Sequence, residues 1–478
     1  MGAPTEASSP AEPSNAAAGA ILPGSLGAHG DAGFPDGLPV PRRYWAQAAT
    51  IMAIVMSVLD SSIANIALPS IASDFHVTKA ASIWVINAYQ IAILAAILPF
   101  ASLGEVVGFR RVSQTGMVVF TLGSLACAFS DSLLTLSIAR VIQGLGAAGI
   151  MSVNAALVRF TYPQAMLGRA IGINAFAVAT SAAIGPTVAS AVLAVAPWPW
   201  LFGINGPIGL VAFLIGMKAQ PETPRVARPL NYVGALLNAG TFILLVGGLQ
   251  ALAHDSAELL AFVQLGAGAL LAFILVRHEL DRPAPIIPFD LLRIRLFWLS
   301  IATSVASFMA QMAGLVALPF EIQRLGRSAV ETGLLMTPWP VAVAIAAPIA
   351  GRLADRYPAG ILGGAGMLCM AAGLALLALF PDGGSAADFI WRMALCGLGF
   401  GLFQAPNNRT LMAAAPRARS GAAGGMLGAA RLLGQTLGAA AVALLFRAYP
   451  ATGSNLILWC AVAFALFAAA ISLSRLKP

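Results

Sequence analysis

Residues 133–157 read LLTLSIARVIQGLGAAGIMSVNAAL, an apolar run that contains one charged residue, Arg140. As an α-helix, this run would extend for about 37 Å, which is enough to cross roughly 30 Å of hydrocarbon. A charged side chain inside such a helix is unfavourable in lipid, so we expect Arg140 to face the interior of a helix bundle. The run therefore predicts a membrane-spanning helix with an interior cation.

Apolar runs of similar length recur along the chain after residue 43. The predicted spans are 46–69, 82–103, 112–130, 133–157, 170–194, 198–217, 232–252, 257–276, 297–319, 332–350, 360–380, 389–411, 421–446 and 455–474. Membrane-spanning strands would need alternating segments of about ten residues, and the sequence contains none. We therefore predict an all-α membrane protein with fourteen transmembrane helices.

The composition excludes most soluble classes of protein. Of the 478 residues, 59% are hydrophobic and 10% are charged, whereas a soluble chain carries about a quarter charged residues. This composition rules out a cytosolic enzyme, a secreted domain and a disordered protein. The four cysteines lie far apart within apolar runs, and the sequence has no phosphate loop, catalytic triad or metal motif. We therefore expect no cofactor and no metal ion.

The distribution of charge predicts how the helices are oriented. Of the 27 Lys and Arg residues, twenty fall in termini and loops on the side of the N-terminus, and four fall on the other side. Because positive residues favour cytoplasmic loops, we expect both termini on the cytoplasmic side of the inner membrane. The net charge of +8 reflects this bias, and no basic cluster with interleaved aromatic residues indicates nucleic acid. Residues 1–43, rich in Ala, Pro, Gly and Ser, are predicted to form a flexible cytoplasmic tail.

The sequence repeats itself at an offset of 250 to 253 residues. The matching pairs are 67–69 and 317–319, 101–108 and 351–358, Arg140 and Arg392, Gly172 and Gly425, and Gly185 and Gly438. Matches in the same order predict two six-helix halves, residues 44–218 and 297–478, joined by a linker that adds two helices at 219–296. Duplicated halves around a central site are typical of secondary transporters.

Several motifs resemble the major facilitator superfamily. Residues 101–111 (ASLGEVVGFRR) and, more closely, residues 351–356 (GRLADR) resemble its loop signature G-x-L-A-D-R-x-G-R-R. Residues 136–146 (LSIARVIQGLG) are similar to its helix-4 signature, and the run from Gly172 to Gly185-Pro186 resembles its antiporter signature. Three further motifs resemble the fourteen-helix drug/proton antiporter branch: residues 59–69 (LDSSIANIALP), 84–89 (WVINAY) and 198–209 (WPWLFGINGPIG). Glu105 departs from the loop signature, which has Asp there.

The resemblance implies the major facilitator fold and an antiporter that works by alternating access. Its cargo would be amphipathic, cationic, toxic compounds of the methyl viologen and quaternary ammonium type, exported in exchange for protons. Its partners would be this small-molecule substrate, protons and the lipid bilayer, and it would act as a monomer. Three alternatives stay open: an importer of the same fold, an exporter of siderophores or metabolites, and a membrane receptor that transports nothing.

Asp60 is the acidic residue that lies well inside a predicted span. Burial favours its protonated form and a bound cation favours its charged form, which is the coupling that a proton exchanger needs. By resemblance, Asp60 and Arg140 would form the proton-coupling or cation site. The alternative for Asp60 is a static salt bridge or a residue at a helix end, and the alternative for Arg140 is a structural cation that donates hydrogen bonds to carbonyl groups. Arg431, inside predicted span 13, either pairs with Asp60 or lies at a helix contact, and a pore-facing arginine would oppose a cationic cargo.

The remaining candidates fall into three groups. Charged and glycine residues of the loop motifs are expected to latch helix ends together or to bind lipid headgroups: Glu105, Gly108, Arg110, Arg111, Gly351, Asp355 and Arg356. The antiporter motif is Gly172, Gly185 and Pro186, and the residues of a substrate pathway are Trp84, Tyr89, Phe308, Gln311, Trp339, Gln404, Asn407 and Arg431. Because Asp355 lies in the better-matching motif, its loss is expected to impair transport more than the loss of Glu105.

Overall fold

The run that carries Arg140 forms one continuous helix in a computed structural model of the chain. The structure describes residues 2, 36–77, 82, 84–227, 229–253, 258–280, 282, 285–324, 329–381, 384–448 and 453–476. Residues 35–478 form one unit, and the other unit, residues 1–34, is described at residue 2 alone. Most of the predicted cytoplasmic tail therefore lies outside the described residues.

Six membrane passages form the N-terminal half. They are α1 (Arg42–Asp74), α2 (Trp84–Val107), α3 (Phe109–Ala128), α4 (Leu133–Thr161), α5 (Leu167–Leu193) and a sixth passage in two pieces, α6 (Pro199–Gly203) and α7 (Asn205–Ala219). Two further helices follow, α8 (Tyr232–Ala253) and α9 (Glu258–Leu280), which pack against each other as a hairpin. The hairpin lies against the N-terminal half through contacts of α8 with α2.

Six passages form the C-terminal half after the short helix α10 (Phe289–Leu292). They are α11 (Arg295–Arg324), a passage in two pieces formed by α12 (Ala329–Met336) and α13 (Pro338–Leu353), α14 (Ala359–Ala378), α15 (Ala386–Ala414), α16 (Ser420–Ala448) and α17 (Gly453–Ser474). Within the described residues, ten passages are long and apolar enough by themselves to cross a membrane. The other four, α1, α3, α5 and α16, complete the fourteen as members of the two bundles.

The two halves use the same helix pairings. In the N-terminal half, α4 packs on α2 and α3, while α1 packs on α5 and α7. In the C-terminal half, α15 packs on α13 and α14, while α11 packs on α16 and α17. The predicted fold class, an all-α bundle of two six-helix halves with an inserted hairpin, is confirmed. The boundaries of the linker at residues 219 and 296 stay a prediction.

The halves meet at the end of the bundle that holds Arg42, Arg110, Arg159, Arg409 and Arg419, which we call the basic end. Here α16 packs on α2 and α4, and α5 packs on α13. These crossings depend on small residues, as is usual between membrane helices. A Cβ atom at Gly168 would lie 2.6 Å from the carbonyl oxygen of Gly351, and one at Gly421 would lie 2.8 Å from that of Ala101.

The segment before α1 is attached to the basic end. The amide of Leu38 donates to the carbonyl of Thr161 at 3.0 Å, and Nε of Arg43 donates to the carbonyl of Leu38 at 2.8 Å. Asp36 accepts hydrogen bonds from the amide of Gln164 and from Nη2 of Arg417. The last residues of the predicted tail, 36–43, thus contact loops of both halves.

Candidate functional site

Asp60 of α1 and Arg140 of α4 form an ion pair inside the N-terminal half. Nη1 of Arg140 donates to Oδ2 of Asp60, and both residues are buried, with 0% of Arg140 and 2% of Asp60 exposed. Nε of Arg140 also donates to the carbonyl of Val85 at 2.9 Å. Arg431 is not the partner of Asp60. The two residues of the expected proton-coupling or cation site are therefore in direct contact.

Neutral polar groups complete the surroundings of Asp60. Nε2 of Gln143 donates to its Oδ1 at 2.7 Å, and Nδ2 of Asn205 donates to the same oxygen at 3.2 Å. Both amides also reach Oγ of Ser124. Gln143 lies one helical turn after Arg140 and accepts from its Nη1 at 2.5 Å. Both carboxylate oxygens of Asp60 thus accept hydrogen bonds from side chains inside the N-terminal half.

Aromatic rings enclose the guanidinium of Arg140. Its Cζ lies 4.1 Å from the centroid of the Tyr89 ring and 5.4 Å from that of Phe202. The Tyr89 hydroxyl donates to the carbonyl of Ser57 at 3.0 Å, and Nη2 of Arg140 has no hydrogen-bond partner in the described residues. Cation–π contact thus substitutes for hydrogen bonds on one side of the cation.

The repeat does not reproduce this ion pair in the C-terminal half. Arg392, the counterpart of Arg140, pairs with Asp388 one turn earlier on α15, at 2.9 Å. This pair is partly exposed and lies near the first turn of α15, whereas the Asp60–Arg140 pair is enclosed. The two halves share their helix packing but differ in their polar chemistry.

A cavity of about 90 Å³ lies between the two halves. Much of its wall is apolar, and the lining residues are Ile54, Met151, Asn154, Ala155, Val158, Ile171, Asn174, Ala175, Val178, Phe308, Gln404, Asn408, Met412, Gly424, Leu427, Gly428 and Arg431. Three residues of the predicted pathway line it: Phe308, Gln404 and Arg431. The cavity is therefore shared by helices of both halves and carries a cation.

The other residues of the predicted pathway lie elsewhere. Tyr89 contacts Arg140, and Trp339 is buried in the core of the C-terminal half. Asn407 donates to Oγ of Ser304 at 2.8 Å, behind the cavity wall. Trp84 is largely exposed and Gln311 is half-buried, and neither lines the cavity.

Two asparagines of the cavity were missed by sequence reasoning. Nδ2 of Asn174 on α5 donates to Oδ1 of Asn154 on α4 at 2.8 Å. The remaining amide atoms, Nδ2 of Asn154 and Oδ1 of Asn174, are buried without a partner in the described residues. Both residues lie in apolar predicted spans, and an amide in such a span is a signal that could have marked them.

The loop charges form ion pairs at the basic end. Glu105 is 1% exposed, and its carboxylate accepts from Nη1 of Arg419 and from the amide of Ala422, each at 2.8 Å. Arg419 also pairs with Asp290 at 2.9 Å. Burial lowers the pKa of the Arg419 guanidinium, but the carboxylates of Glu105 and Asp290 outweigh burial and raise that pKa above its ordinary value. Glu105 therefore connects α2 of one half to α16 of the other.

Among the described residues, the other charges of the two loop motifs form no ion pair between the halves. Asp355 pairs with Arg409 of the same half at 3.2 Å, and Arg110 pairs with the exposed Glu222 at 3.7 Å. Arg111 and Arg356 are exposed. Gly108 has φ of +100° between α2 and α3, a backbone conformation that requires glycine.

The antiporter motif lies along α5. A Cβ atom at Gly172 would lie 3.0 Å from the carbonyl oxygen of Ala347, so this glycine allows α5 to approach α13. Gly185 is buried, and the side chain of Pro186 lies outside the described residues. In the part of the chain that the structure describes, no group of three or more His, Cys, Asp and Glu residues is placed to hold a metal ion.

The chain is similar to known transporters over most of its length. It is 51% identical to the uncharacterized transporter YebQ of Escherichia coli (strain K12), over 91% of this chain and 96% of that protein. It is 32% identical to the riboflavin transporter RibZ of Clostridioides difficile (strain 630), over 81% of this chain and 85% of that protein. It is also 32% identical to the multidrug resistance protein Stp of Mycobacterium tuberculosis (strain ATCC 25618 / H37Rv), over 84% of this chain and 75% of that protein.

The fold is similar to that of solved transporters. The human organic anion transporter MFSD10 (TETRAN) superposes with a TM-score of 0.69 at 12% identity, over 91% of this chain and all of that one. The family model described as Major Facilitator Superfamily matches residues 50–439. With its two six-helix halves and its drug-resistance relatives, this chain belongs to the major facilitator superfamily, in the drug-efflux branch.

Proposed function

We propose that this transporter exports amphipathic compounds in exchange for protons by alternating access. The observation that carries the proposal is the Asp60–Arg140 pair, a carboxylate and a guanidinium enclosed within one half. An ionised carboxylate inside the membrane is costly, and it is retained here with its hydrogen bonds satisfied. This burial and pairing make Asp60 our candidate for the group that couples proton movement to transport.

Protonation of Asp60 would end the ion pair that holds α1 to α4. The same two helices contribute to the cavity wall through Ile54 on α1 and through Met151 and Asn154 on α4. Ile54 lies six residues before Asp60, which is about 9 Å along the helix axis. A change in the contact between α1 and α4 would thus alter the cavity wall directly. The short distance between Asp60 and the cavity therefore supports coupling between proton binding and cargo binding.

The helix crossings support a state that is closed at the basic end. The pairs α5–α13 and α2–α16 meet there at glycines, and Glu105 and Arg419 bridge the halves. Rocking of the halves about the central cavity would separate these contacts and open the cavity to the basic side. Cargo would enter from that side and leave from the opposite one.

We infer that the basic end faces the cytoplasm. Single cysteines replacing Glu222 at the basic end and Asp131 in the turn between α3 and α4 make a matched pair of exposed positions. In intact cells, a membrane-impermeant maleimide is expected to label Asp131→Cys but not Glu222→Cys, in a background without native cysteines. Inverted vesicles should give the reverse pattern. Labelling of Glu222→Cys from outside would contradict this orientation.

The export function is tested by resistance and by proton flux. In a bacterium deficient in efflux, expression of the transporter is expected to raise tolerance to members of a panel of amphipathic compounds. Addition of such a compound to energised inverted vesicles should release protons from them, because outward cargo movement is exchanged for inward protons. Uptake of cargo together with protons would instead favour an importer. Absence of any flux would favour the receptor alternative.

A further inference from the structure

We propose that the cavity between the halves binds amphipathic anions, and that Arg431 is the residue that selects negative charge. The ligand class is a carboxylate, sulfonate or phenolate carried on an apolar ring system. This inference deepens the proposed export function and rests on it for transport, although binding can be tested separately. It differs from the cationic cargo that the family resemblance implies.

Within the described residues, Arg431 has no counter-ion. It lies on α16, and among the described residues that line the cavity it is the charged one. Its Nε is buried with no hydrogen-bond partner in the described residues, and no ion pair of that part of the chain includes it. Because an unpaired charge inside the membrane is unfavourable, a partner supplied by the ligand would be strongly favoured.

The other arginines inside the bundle show what this site lacks. Arg140 has Asp60, and Arg392 has Asp388. Arg431 has neither carboxylate, since each is already engaged with its own arginine. The guanidinium presents several N–H groups in a plane, a geometry that matches both oxygens of a carboxylate or sulfonate. The C-terminal half therefore offers an anion-binding group to the cavity.

The N-terminal half offers a second polar contact on the opposite wall. Asn154 is 5% exposed and lines the cavity, and its hydrogen bond with Asn174 leaves one amide donor and one amide acceptor unpartnered. Exchange of the amide oxygen and nitrogen of both side chains again leaves one donor and one acceptor free, with the donor then on Asn174, which also lines the cavity. An oxyanion that accepts from the free amide donor and from Arg431 would bridge the asparagine pair and α16, and hence the two halves.

The rest of the wall accommodates an apolar body. Ile54, Ile171, Leu427 and the ring of Phe308 lie around these polar groups. A cationic ligand would be placed beside the Arg431 guanidinium with no carboxylate among the described lining residues to offset the repulsion. Among the described lining residues, apolar walls and the unpartnered Arg431 therefore favour an anionic amphiphile over a cationic one.

Two xanthene dyes of opposite charge provide the test. Fluorescein is an anion and rhodamine 6G is a cation, and both carry the tricyclic xanthene ring. Because their substituents also differ, the effect of charge is taken from how each dye responds to substitution of Arg431. Their binding to the purified full-length transporter in lipid nanodiscs would be measured by fluorescence anisotropy. We expect the wild type to bind fluorescein more tightly than rhodamine 6G. We also expect Arg431→Gln to weaken fluorescein binding by about tenfold or more, since a charge-assisted hydrogen bond is lost.

Three further variants separate charge from structure. Arg431→Lys is expected to retain most of the fluorescein affinity, because it keeps the cation. Asn154→Ala should weaken fluorescein binding by a smaller factor. Arg392→Gln removes an arginine that is paired and does not line the cavity, and it should leave both affinities unchanged. A variant that fails to bind because it is misfolded would lose both dyes, whereas Arg431→Gln should keep or improve rhodamine 6G binding.

The inference is overturned if Arg431→Gln binds fluorescein as tightly as the wild type, if rhodamine 6G is preferred, or if neither dye binds. Transport distinguishes this failure from failure of the proposed function. Proton-coupled export of rhodamine 6G would keep the antiporter and remove the anion site. Binding of fluorescein that depends on Arg431, without proton-coupled flux, would keep the anion site and remove the antiporter.

Discussion

Asp60→Asn is expected to abolish proton-coupled transport and to destabilise the protein. The substitution removes the titratable group, and it leaves the buried Arg140 without its counter-ion. Breaking a buried pair from one side typically costs about 3–5 kcal/mol, because the remaining charge is uncompensated. Transport would be measured as proton flux in vesicles at matched protein levels, and stability as the midpoint of thermal unfolding in detergent.

The double variant Asp60→Asn/Arg140→Gln is the matched control for this experiment. It removes both charges at once, so most of the lost stability should return, while proton coupling should stay absent. Asp60→Glu should retain partial activity, because the carboxylate survives at a longer reach. If the double variant regains proton-coupled transport, the pair is a structural contact and Asp60 is not the coupling group.

The structure changes the expected cost of removing Asp60. From the sequence, a lone carboxylate in an apolar helix would be removed without harm to folding, since its desolvation penalty disappears. That reasoning is wrong for a paired carboxylate. When Asp60 loses its charge, Arg140 remains buried without a counter-ion, and its desolvation is then uncompensated.

Glu105→Gln is expected to reduce transport at least tenfold by weakening closure of the basic end. The neutral amide can still accept from the amide of Ala422, but it cannot form the ion pair with the partly buried Arg419 that joins the halves. Such partly buried charged hydrogen bonds contribute about 1.5–3 kcal/mol each. In a background without native cysteines, Ala155→Cys in the cavity wall should become more reactive to a maleimide applied at the basic side.

Asp355→Asn serves as the control, because Asp355 pairs with Arg409 of its own half. Its effect on transport should be the smaller one, which reverses the order expected from motif quality. The closeness of GRLADR to the family signature does not determine how much its loss impairs transport. That effect on transport depends on which charge forms an ion pair between the halves. Equal reactivity of Ala155→Cys with and without Glu105→Gln would contradict a latch at this position.

Sequence patterns predicted the positions of the helices well, but they predicted poorly which side chains contact each other between helices. Apolar length depends on the thickness of the membrane, so all fourteen passages could be located from composition alone. Asp60 and Arg140 were each recognisable because charge in hydrocarbon is costly. Their pairing was not, since they lie 80 residues apart on helices whose facing sides depend on packing.

Other contacts were hidden for the same reason. Glu105 and Arg419 are separated by 314 residues, and no local pattern connects them. The role of Arg431 was open from the sequence. Its place on the helix is the same whether it pairs with Asp60 or lines the cavity, so the sequence could not distinguish the two roles. Asn154 and Asn174 were overlooked because each is a single amide in a long apolar run. Their importance follows from the hydrogen bond between them, which joins α4 and α5.

The sign of the charge in the cavity also determines how membrane voltage acts on the transport cycle. If a monovalent anion leaves while one proton enters, two elementary charges cross the membrane in the same electrical sense. At 100 mV, this movement supplies about 4.6 kcal/mol, which corresponds to a cargo ratio of roughly a thousandfold. A monovalent cation exchanged for one proton would move no net charge and gain nothing from the voltage. Arg431, which has no counter-ion among the described residues, would thus make export electrogenic.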